Sequence, residues 1–153
     1  MKGYQDHKKP IYNLPEVVKN TKDLILIVEG EKTADTANKL FSKEGVTCIT
    51  WCGGASAVSK SDWAHLYGRQ VVIWPDNDDA GFKAGEKICS ELRKVGVKSL
   101  HIVDKEILIK QFPEKWDLAD AFPVDRNINH ARDLIFNAKE KSLGIDQLSN
   151  SER

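Results

Sequence analysis

The sequence predicts an α/β fold of the Rossmann-like kind, with an open sheet of about four mainly parallel strands flanked by helices. Short apolar runs alternate with segments of helical periodicity, which is the pattern of β-α-β units with right-handed crossovers. The apolar runs are continuous, as expected for strands buried on both faces of a parallel sheet. With 153 residues, the chain is long enough for one domain with a substantial core.

The first two predicted strands each precede a helical segment. The run DLILIVEG, residues 23–30, is the first strand, and its last side chain is that of Glu29. The helix that follows has apolar residues at helical spacing and ends at Gly45. The second strand is VTCITWCGG, residues 46–54, and a short or broken helix is expected over residues 56–66.

The third and fourth predicted strands continue this alternation. The third is QVVIWPD, residues 70–76, and it leads into a helix over residues 80–96. The fourth is VKSLHIVD, residues 97–104. After it the pattern loosens into a loop with a short helix near Leu118, and residues 127–141 have the spacing of a packed C-terminal helix.

Three regions follow from these elements. We expect residues 1–22 to form a basic, loosely structured lead-in, residues 23–141 to form the folded domain, and residues 142–153 to form a frayed tail. No apolar run approaches the roughly 20 residues that span a bilayer, and the N-terminus lacks the apolar segment of a signal peptide. The sequence therefore predicts a cytoplasmic protein without a membrane partner.

The bulk composition is that of an ordinary globular protein. Hydrophobic residues make up 41% and charged residues 30% of the chain, which argues against a disordered chain. The 23 basic and 23 acidic residues cancel, so composition alone does not support binding to nucleic acid. Evidence for such binding has to come from a site.

Acidic residues cluster directly after the third strand, in VVIWPDNDDAG. Two like charges about 4 Å apart repel by about 4 kcal/mol at an effective dielectric of about 20, so the cluster requires a positive partner. Ligands of open parallel sheets bind outside the carboxyl ends of the strands, where Glu29 also lies. We expect Glu29, Asp76 and Asp78 to converge on Mg²⁺ or Mn²⁺, which prefer oxygen ligands. Asp79 is interpreted as the cap of the following helix.

Better-known motifs do not account for this cluster. An EF-hand loop starting at Asp76 would have Ala80 at position five and Lys87 at position twelve, where calcium requires a glutamate. The segment GEKT lacks the earlier glycine of a Walker A loop, and no G-x-G-x-x-G follows a predicted strand. An EF-hand calcium loop and the two usual nucleotide-binding motifs are therefore excluded.

Four motifs in order carry a family resemblance: ILIVEGEKTAD, WCGG, VVIWPDNDDAGFKAGEKI and KWDLADA. Over about residues 23–122 the chain resembles the TOPRIM domain of primases, topoisomerases and some nucleases, most closely the version of phage- and plasmid-type primases. The resemblance implies a TOPRIM fold. It also implies that Glu29 is the catalytic acid or base and that Asp76 and Asp78 bind Mg²⁺.

The chain departs from bacterial chromosomal primases at two places. Thr33 stands where those enzymes have an aspartate, and KWDLAD replaces their compact lysine–aspartate motif. Either Asp117 or Asp120 of this segment is then expected to hold a second ion or its waters. The resemblance further suggests residues that approach the nucleotide or its phosphates: Gly30, Lys32, Gly53, Gly54 and Lys83.

The function implied by the resemblance is Mg²⁺-dependent nucleotidyl transfer by a DNA primase, which makes an RNA primer from nucleoside triphosphates on single-stranded DNA. Full primases of the family carry a zinc-binding module and often a helicase, so we expect a fragment or a small relative with such partners. Two alternatives stay open. The same acids could serve a Mg²⁺-dependent nuclease, or the chain could be a non-catalytic module that binds nucleic acid or metal.

Overall fold

The computed structural model describes residues 8–141 and 143–144. The strands in this part of the chain are β1 (Lys9–Pro10), β2 (Leu24–Ile27), β3 (Val46–Ile49), β4 (Ser61–Asp62), β5 (Gln70–Ile73), β6 (Ser99–Ile102) and β7 (Leu143–Gly144). The α-helices are α1 (Leu14–Lys19), α2 (Glu31–Phe41), α3 (Asp79–Val95), α4 (Lys105–Gln111) and α5 (Ile128–Lys141). Short 3-10 helices lie at Ser42–Glu44, Ala55–Lys60 and Ala64–Leu66.

The main sheet has the strand order β3-β2-β5-β6-β7. The first four of these strands are mutually parallel, and β7 pairs antiparallel with β6. The predicted α/β fold with a mainly parallel sheet is therefore confirmed. In the centre of the sheet Ile27 of β2 is aligned with Ile73 of β5, so the chain leaves both strands at the same edge and at the same height.

The core has two layers because successive residues of a strand face opposite sides of the sheet. Leu24 and Leu26 of β2 pack into one layer and Ile25 and Ile27 into the other. The first layer contains apolar side chains of α2 and α5, namely Ala34, Ala37, Phe41, Ala131 and Ile135. The second contains those of α3, namely Ala84, Ile88 and Leu92. Helices thus cover both faces, which explains why most residues of the strands are apolar.

Of two short predicted helices, the structure confirms one as a broken stretch and corrects the other. The segment 56–66, expected to be a short or broken helix, forms two short 3-10 helices with β4 between them. The segment around Leu118 forms a hydrogen-bonded turn, in which the Asp117 carboxylate accepts from the Ala119 N–H at 2.7 Å. The helix of this region lies earlier, at α4, because Asp104 caps it by accepting from the Glu106 N–H at 2.9 Å.

The lead-in is also more ordered than expected. Within residues 8–22, β1 pairs with β4 and α1 buries Val17. The Arg69 guanidinium donates to the carbonyls of Val17, Asn20 and Asp23 at 2.9, 2.6 and 3.0 Å. These contacts come from distant parts of the chain, so the local sequence does not indicate them.

At the other end, residues 142 and 145–153 of the expected tail lie outside the described residues. Leu143–Gly144, which fall in the same expected tail, add β7 to the sheet. None of the described helices combines the length and the apolar character needed to cross a bilayer.

Candidate active site

The candidate site lies at the edge where β2 and β5 end. The ladder continues one residue past β5, since the Trp74 N–H donates to the Ile27 carbonyl at 2.8 Å. Pro75 has no N–H and stops the pairing. After β2 the chain turns into α2 at Gly30, whose φ of 95° favours glycine. Glu29 and Asp76 consequently leave the sheet side by side.

The carboxyl groups of Glu29 and Asp76 lie within hydrogen-bonding reach of each other. Burial, the hydrogen bond with Glu29 and the negative charges of Glu29, Asp117 and Asp78 together raise the pKa of Asp76 to about 8, and burial is the largest cause. Without a cation the pair therefore retains a proton near neutral pH, and a protonated carboxyl donates to its neighbour. The structure thus brings acids from three separate segments into one small volume.

Asp78 begins α3 as its N-cap. Its backbone is extended, with φ of −155° and ψ of 170°, and its Oδ1 accepts from the Gly81 N–H at 2.7 Å. The expectation that Asp79 caps this helix is wrong, because Asp79 already has a helical backbone and an N-cap needs a non-helical one. Asp78 uses one carboxylate oxygen as the cap, and its charge still acts on Asp76.

Gly81 is a site residue that the sequence analysis did not identify. A Cβ built on Gly81 would lie 2.3 Å from the carbonyl oxygen and 2.9 Å from the Cβ of Asp76. Only a glycine therefore allows the first turn of α3 to pack against Asp76. A signal was present in the sequence, since a glycine in the first turn of a helix is less favourable than alanine and indicates a close approach.

Asp117 and Asp120 have different structural roles. The charge of Asp117 is among those that raise the pKa of Asp76, so Asp117 belongs to the cluster. Asp120 is exposed, and its Oδ2 accepts from the Asp117 N–H at 2.9 Å. The structure therefore places Asp117 beside the strand-terminal acids and places Asp120 behind it, as a brace for the turn.

The three candidate glycines lie in turns, and one of them, Gly30, directly follows a site acid. The Gly30 N–H donates to Oγ1 of buried Thr50 at 3.0 Å, which fixes the turn after Glu29. Thr50 is a second residue that the sequence analysis missed, and nothing in its local pattern distinguishes it from other strand residues. Gly53 and Gly54 have positive φ values of 100° and 72° in the loop after β3.

The two candidate lysines are exposed near the N-terminal ends of the helices that start at the site. Lys32 lies on α2 and Lys83 on α3. Neither forms an ion pair with a carboxylate in the part of the chain that the structure describes. The structure therefore leaves both side chains available to an incoming ligand and does not place them among the acids.

The donor set suits a hard divalent cation. Mg²⁺ usually binds through one or two carboxylates and keeps several water ligands. Among residues 8–141 and 143–144, however, no group of three or more Asp, Glu, His or Cys side chains is arranged as a ligand set. In this arrangement Glu29 and Asp76 contact each other, and one Asp78 carboxylate oxygen accepts from the Gly81 N–H. The residue types fit Mg²⁺, and a bound cation would replace the shared proton.

A cleft opens directly beside Asp78. Its volume is about 400 Å³, within the usual range for small-molecule sites. Both acidic and apolar side chains line it, namely Asp78, Asp79, Glu114, Phe82, Ile109 and Phe112. Asp78 therefore lies beside a space that can admit part of a substrate.

Comparisons with known proteins agree with the fold. Residues 24–108, more than half of the chain, match the family described as Toprim domain. No curated protein matches the sequence. One chain of a solved structure is 21% identical in sequence to this chain, with a TM-score of 0.48. That structure is of bacteriophage T7 lagging-strand DNA polymerase interacting with primase domains of two gp4 subunits bound to an RNA/DNA hybrid and dTTP. That match covers 80% of this chain and 56% of the T7-structure chain, so this chain spans little more than half of its length.

Proposed function

Since the chain belongs to the Toprim family, we propose that it catalyses Mg²⁺-dependent nucleotidyl transfer of the DNA primase type. The reaction would join ribonucleoside triphosphates into an RNA primer on a single-stranded DNA template. One observation carries this proposal: the carboxyl groups of Glu29 and Asp76, from two adjacent parallel strands, meet at one edge of the sheet, where the charges of Asp78 and Asp117 also act on Asp76. Such a cluster is suited to a divalent cation and the phosphates that the cation binds.

Each acid has a proposed role. Asp76 and Asp78 would hold the cation, and Asp117 would help to hold a second ion or its waters. When bound, the cation neutralises the phosphates and the leaving pyrophosphate. Glu29 would accept the proton of the attacking hydroxyl, since it lies beside Asp76 at the end of the neighbouring strand. Asp120 would act through the turn that it braces.

The proposed nucleotide contacts surround these acids. Lys32 and Lys83 would reach the phosphates from near the N-terminal ends of α2 and α3, where the helix N-termini also favour anions. Gly30, Gly53 and Gly54 would let the backbone approach the substrate closely. The proposed setting is the cytoplasm, and the proposed partners are a zinc-binding and a helicase domain or protein, as the family resemblance implies.

The experiment separates primer synthesis from its alternatives. The protein is incubated with Mg²⁺ or Mn²⁺, single-stranded DNA and labelled ribonucleoside triphosphates, and in parallel with labelled RNA and DNA. We expect short RNA products, which Glu29→Gln abolishes and which Asp133→Asn, at an exposed position of α5 outside the site, preserves. Shortened strands would instead establish a nuclease. If metal binds without either product, the chain is a binding module.

A further inference from the structure

Asn77 stands between the two acids of the D-x-D motif and faces the protein interior. It is 4% exposed, whereas asparagines are mostly exposed and its neighbours Asp76 and Asp78 are only half-buried. Its Nδ2 donates to the carbonyls of Leu108, Phe112 and Pro113 at 3.1, 3.1 and 2.8 Å. The backbone carbonyl of Asn77 accepts a hydrogen bond from the Lys115 N–H at 2.8 Å. One residue therefore holds both ends of the segment 108–115.

The segment held by Asn77 leads directly to Asp117. Lys115 has a φ of 64°, which is uncommon for a residue other than glycine. This turn directs Trp116 inward, where its ring stacks on that of Phe112 with centroids 4.2 Å apart. Asp117 follows immediately and its charge reaches Asp76. The position of segment 108–115 therefore sets the position of Asp117.

The amino group of the Asn77 side chain is what this position uses. Its two N–H bonds serve three carbonyl oxygens that lie close together, so one N–H is shared between two of them. An alanine would leave those carbonyls unpaired in the interior, and an aspartate would direct negative charge at them. The aromatic packing of Trp116 also holds the segment, so the contribution of Asn77 has to be measured separately.

We propose that Asn77 is a positioning residue that fixes Asp117 relative to Asp76 and Asp78. The inference rests on the proposed function, because that function assigns the three acids to a cation. Groups that orient metal ligands typically change metal affinity 10- to 100-fold when they are lost. We therefore expect Asn77→Ala to weaken Mn²⁺ binding about 10-fold and to loosen residues 112–120.

The matched control is Asn38→Ala. Asn38 also clamps backbone with its amide, since its Nδ2 donates to the Cys48 carbonyl at 3.0 Å and its Oδ1 accepts from the Cys48 N–H at 2.8 Å. That contact lies on β3, away from segment 108–115. Asn38→Ala should therefore lower stability while leaving Mn²⁺ affinity and the hydrogen exchange of residues 112–120 unchanged.

Two measurements on the full chain test the proposal: calorimetric titration with Mn²⁺ and native-state hydrogen exchange of the amides of residues 112–120. Faster exchange together with weaker binding in Asn77→Ala alone supports it. Unchanged exchange, or equal effects of both variants, overturns it. If the wild type binds no Mn²⁺, the proposed function fails, and the exchange data still decide whether Asn77 holds the segment that carries Asp117.

The wild type provides a test that does not depend on the folding of a variant. The two Nδ2 protons of Asn77, bonded to buried carbonyls, should exchange with solvent at least 100-fold more slowly than those of an exposed asparagine such as Asn129, in keeping with the protection of buried hydrogen bonds. Exchange at the rate of an exposed amide would overturn the proposal.

Discussion

The Asp76 carboxyl makes the stability of the cation-free protein depend on pH. Burial and Glu29 raise the pKa of Asp76 from 3.8 to about 8, so the folded state retains a proton that the unfolded state releases. This stabilisation is complete below about pH 4 and is lost as the pH rises to about 8. We expect the free energy of unfolding, measured with urea in the presence of a chelator, to fall across this range.

The variant Asp76→Asn should remove this pH dependence. At pH 8 it should be more stable than the wild type by about 1–2 kcal/mol, a value reduced for the solvent screening of a half-exposed group. Asp79→Asn is the control, because Asp79 is exposed and should leave the slope unchanged. A wild-type stability that stays flat from pH 4 to pH 8 would contradict the shared proton.

Gly81 can be tested against a second glycine of the same helix. Gly81→Ala should destabilise the protein by about 1–3 kcal/mol, because the new methyl group overlaps the Asp76 backbone. At Gly85 the added Cβ would meet Ile102 and Ile73 at an ordinary 3.7 Å, so Gly85→Ala should be neutral or stabilising by up to about 1 kcal/mol. Urea unfolding of both variants checks this, and equal effects would refute the close contact.

Residues of the site differ in how far the sequence reveals them. The convergence of Glu29 and Asp76 could be predicted because both acids follow apolar strands that end at the same edge of the sheet, whereas their roles in catalysis and metal binding stay predictions. Thr50 and Asn77 could not be predicted, since their roles depend on hydrogen bonds to residues distant in the chain. The assignment of the helix cap to Asp79 was wrong by one residue, which is the usual uncertainty of a helix boundary read from sequence.

Among the elements, α3 has the site acid Asp78 as its N-cap. The effect of the cap on stability can therefore be measured separately from the effect of the negative charge on activity. Asparagine caps helices about as well as aspartate, whereas alanine costs about 1 kcal/mol. We therefore expect Asp78→Asn to keep the wild-type free energy of unfolding within about 0.5 kcal/mol and Asp78→Ala to lower it by about 1 kcal/mol. Both variants should lose primer synthesis. Equal destabilisation by the two would show that Asp78 does not act as the cap.

The element α1 depends on Arg69 for its attachment. Arg69→Ala removes three hydrogen bonds to backbone carbonyls and should lower the free energy of unfolding by about 1–3 kcal/mol. Limited proteolysis should then cut near residues 14–20 more rapidly. Arg93→Ala, which changes an exposed arginine, should leave the cleavage rate unchanged. Resistance of Arg69→Ala to the protease would contradict this attachment.

Elements with their own hydrophobic pattern could be predicted, and those that depend on distant partners could not. The strands β2, β3, β5 and β6 show as apolar runs because both faces of the sheet are covered. The two-residue strands β1 and β4 have no pattern of their own and exist by pairing with each other. Short α4 depends on the cap provided by Asp104 and on burial of Leu108.

For the whole molecule, the sheet topology unites acids that are far apart in the chain. Because β2 and β5 are adjacent and parallel, the segments after Ile27 and Ile73 leave at one edge. The helices α2 and α3 then start at that same edge and direct their N-termini toward it. The electrostatic repulsion between these acids is therefore strongest at this edge, where a single bound cation can reduce it.

The most direct test of this account is a calorimetric titration of the full chain with Mn²⁺ at pH 7. We expect Mn²⁺ binding to release a proton, because the cation displaces the proton held by Glu29 and Asp76. The release would be visible as a binding heat that varies with the ionisation enthalpy of the buffer. Asp76→Asn and Glu29→Gln should each weaken binding at least 10-fold, and Asp79→Asn should bind like the wild type. No binding by the wild type, or equal affinity in Asp76→Asn, would contradict it.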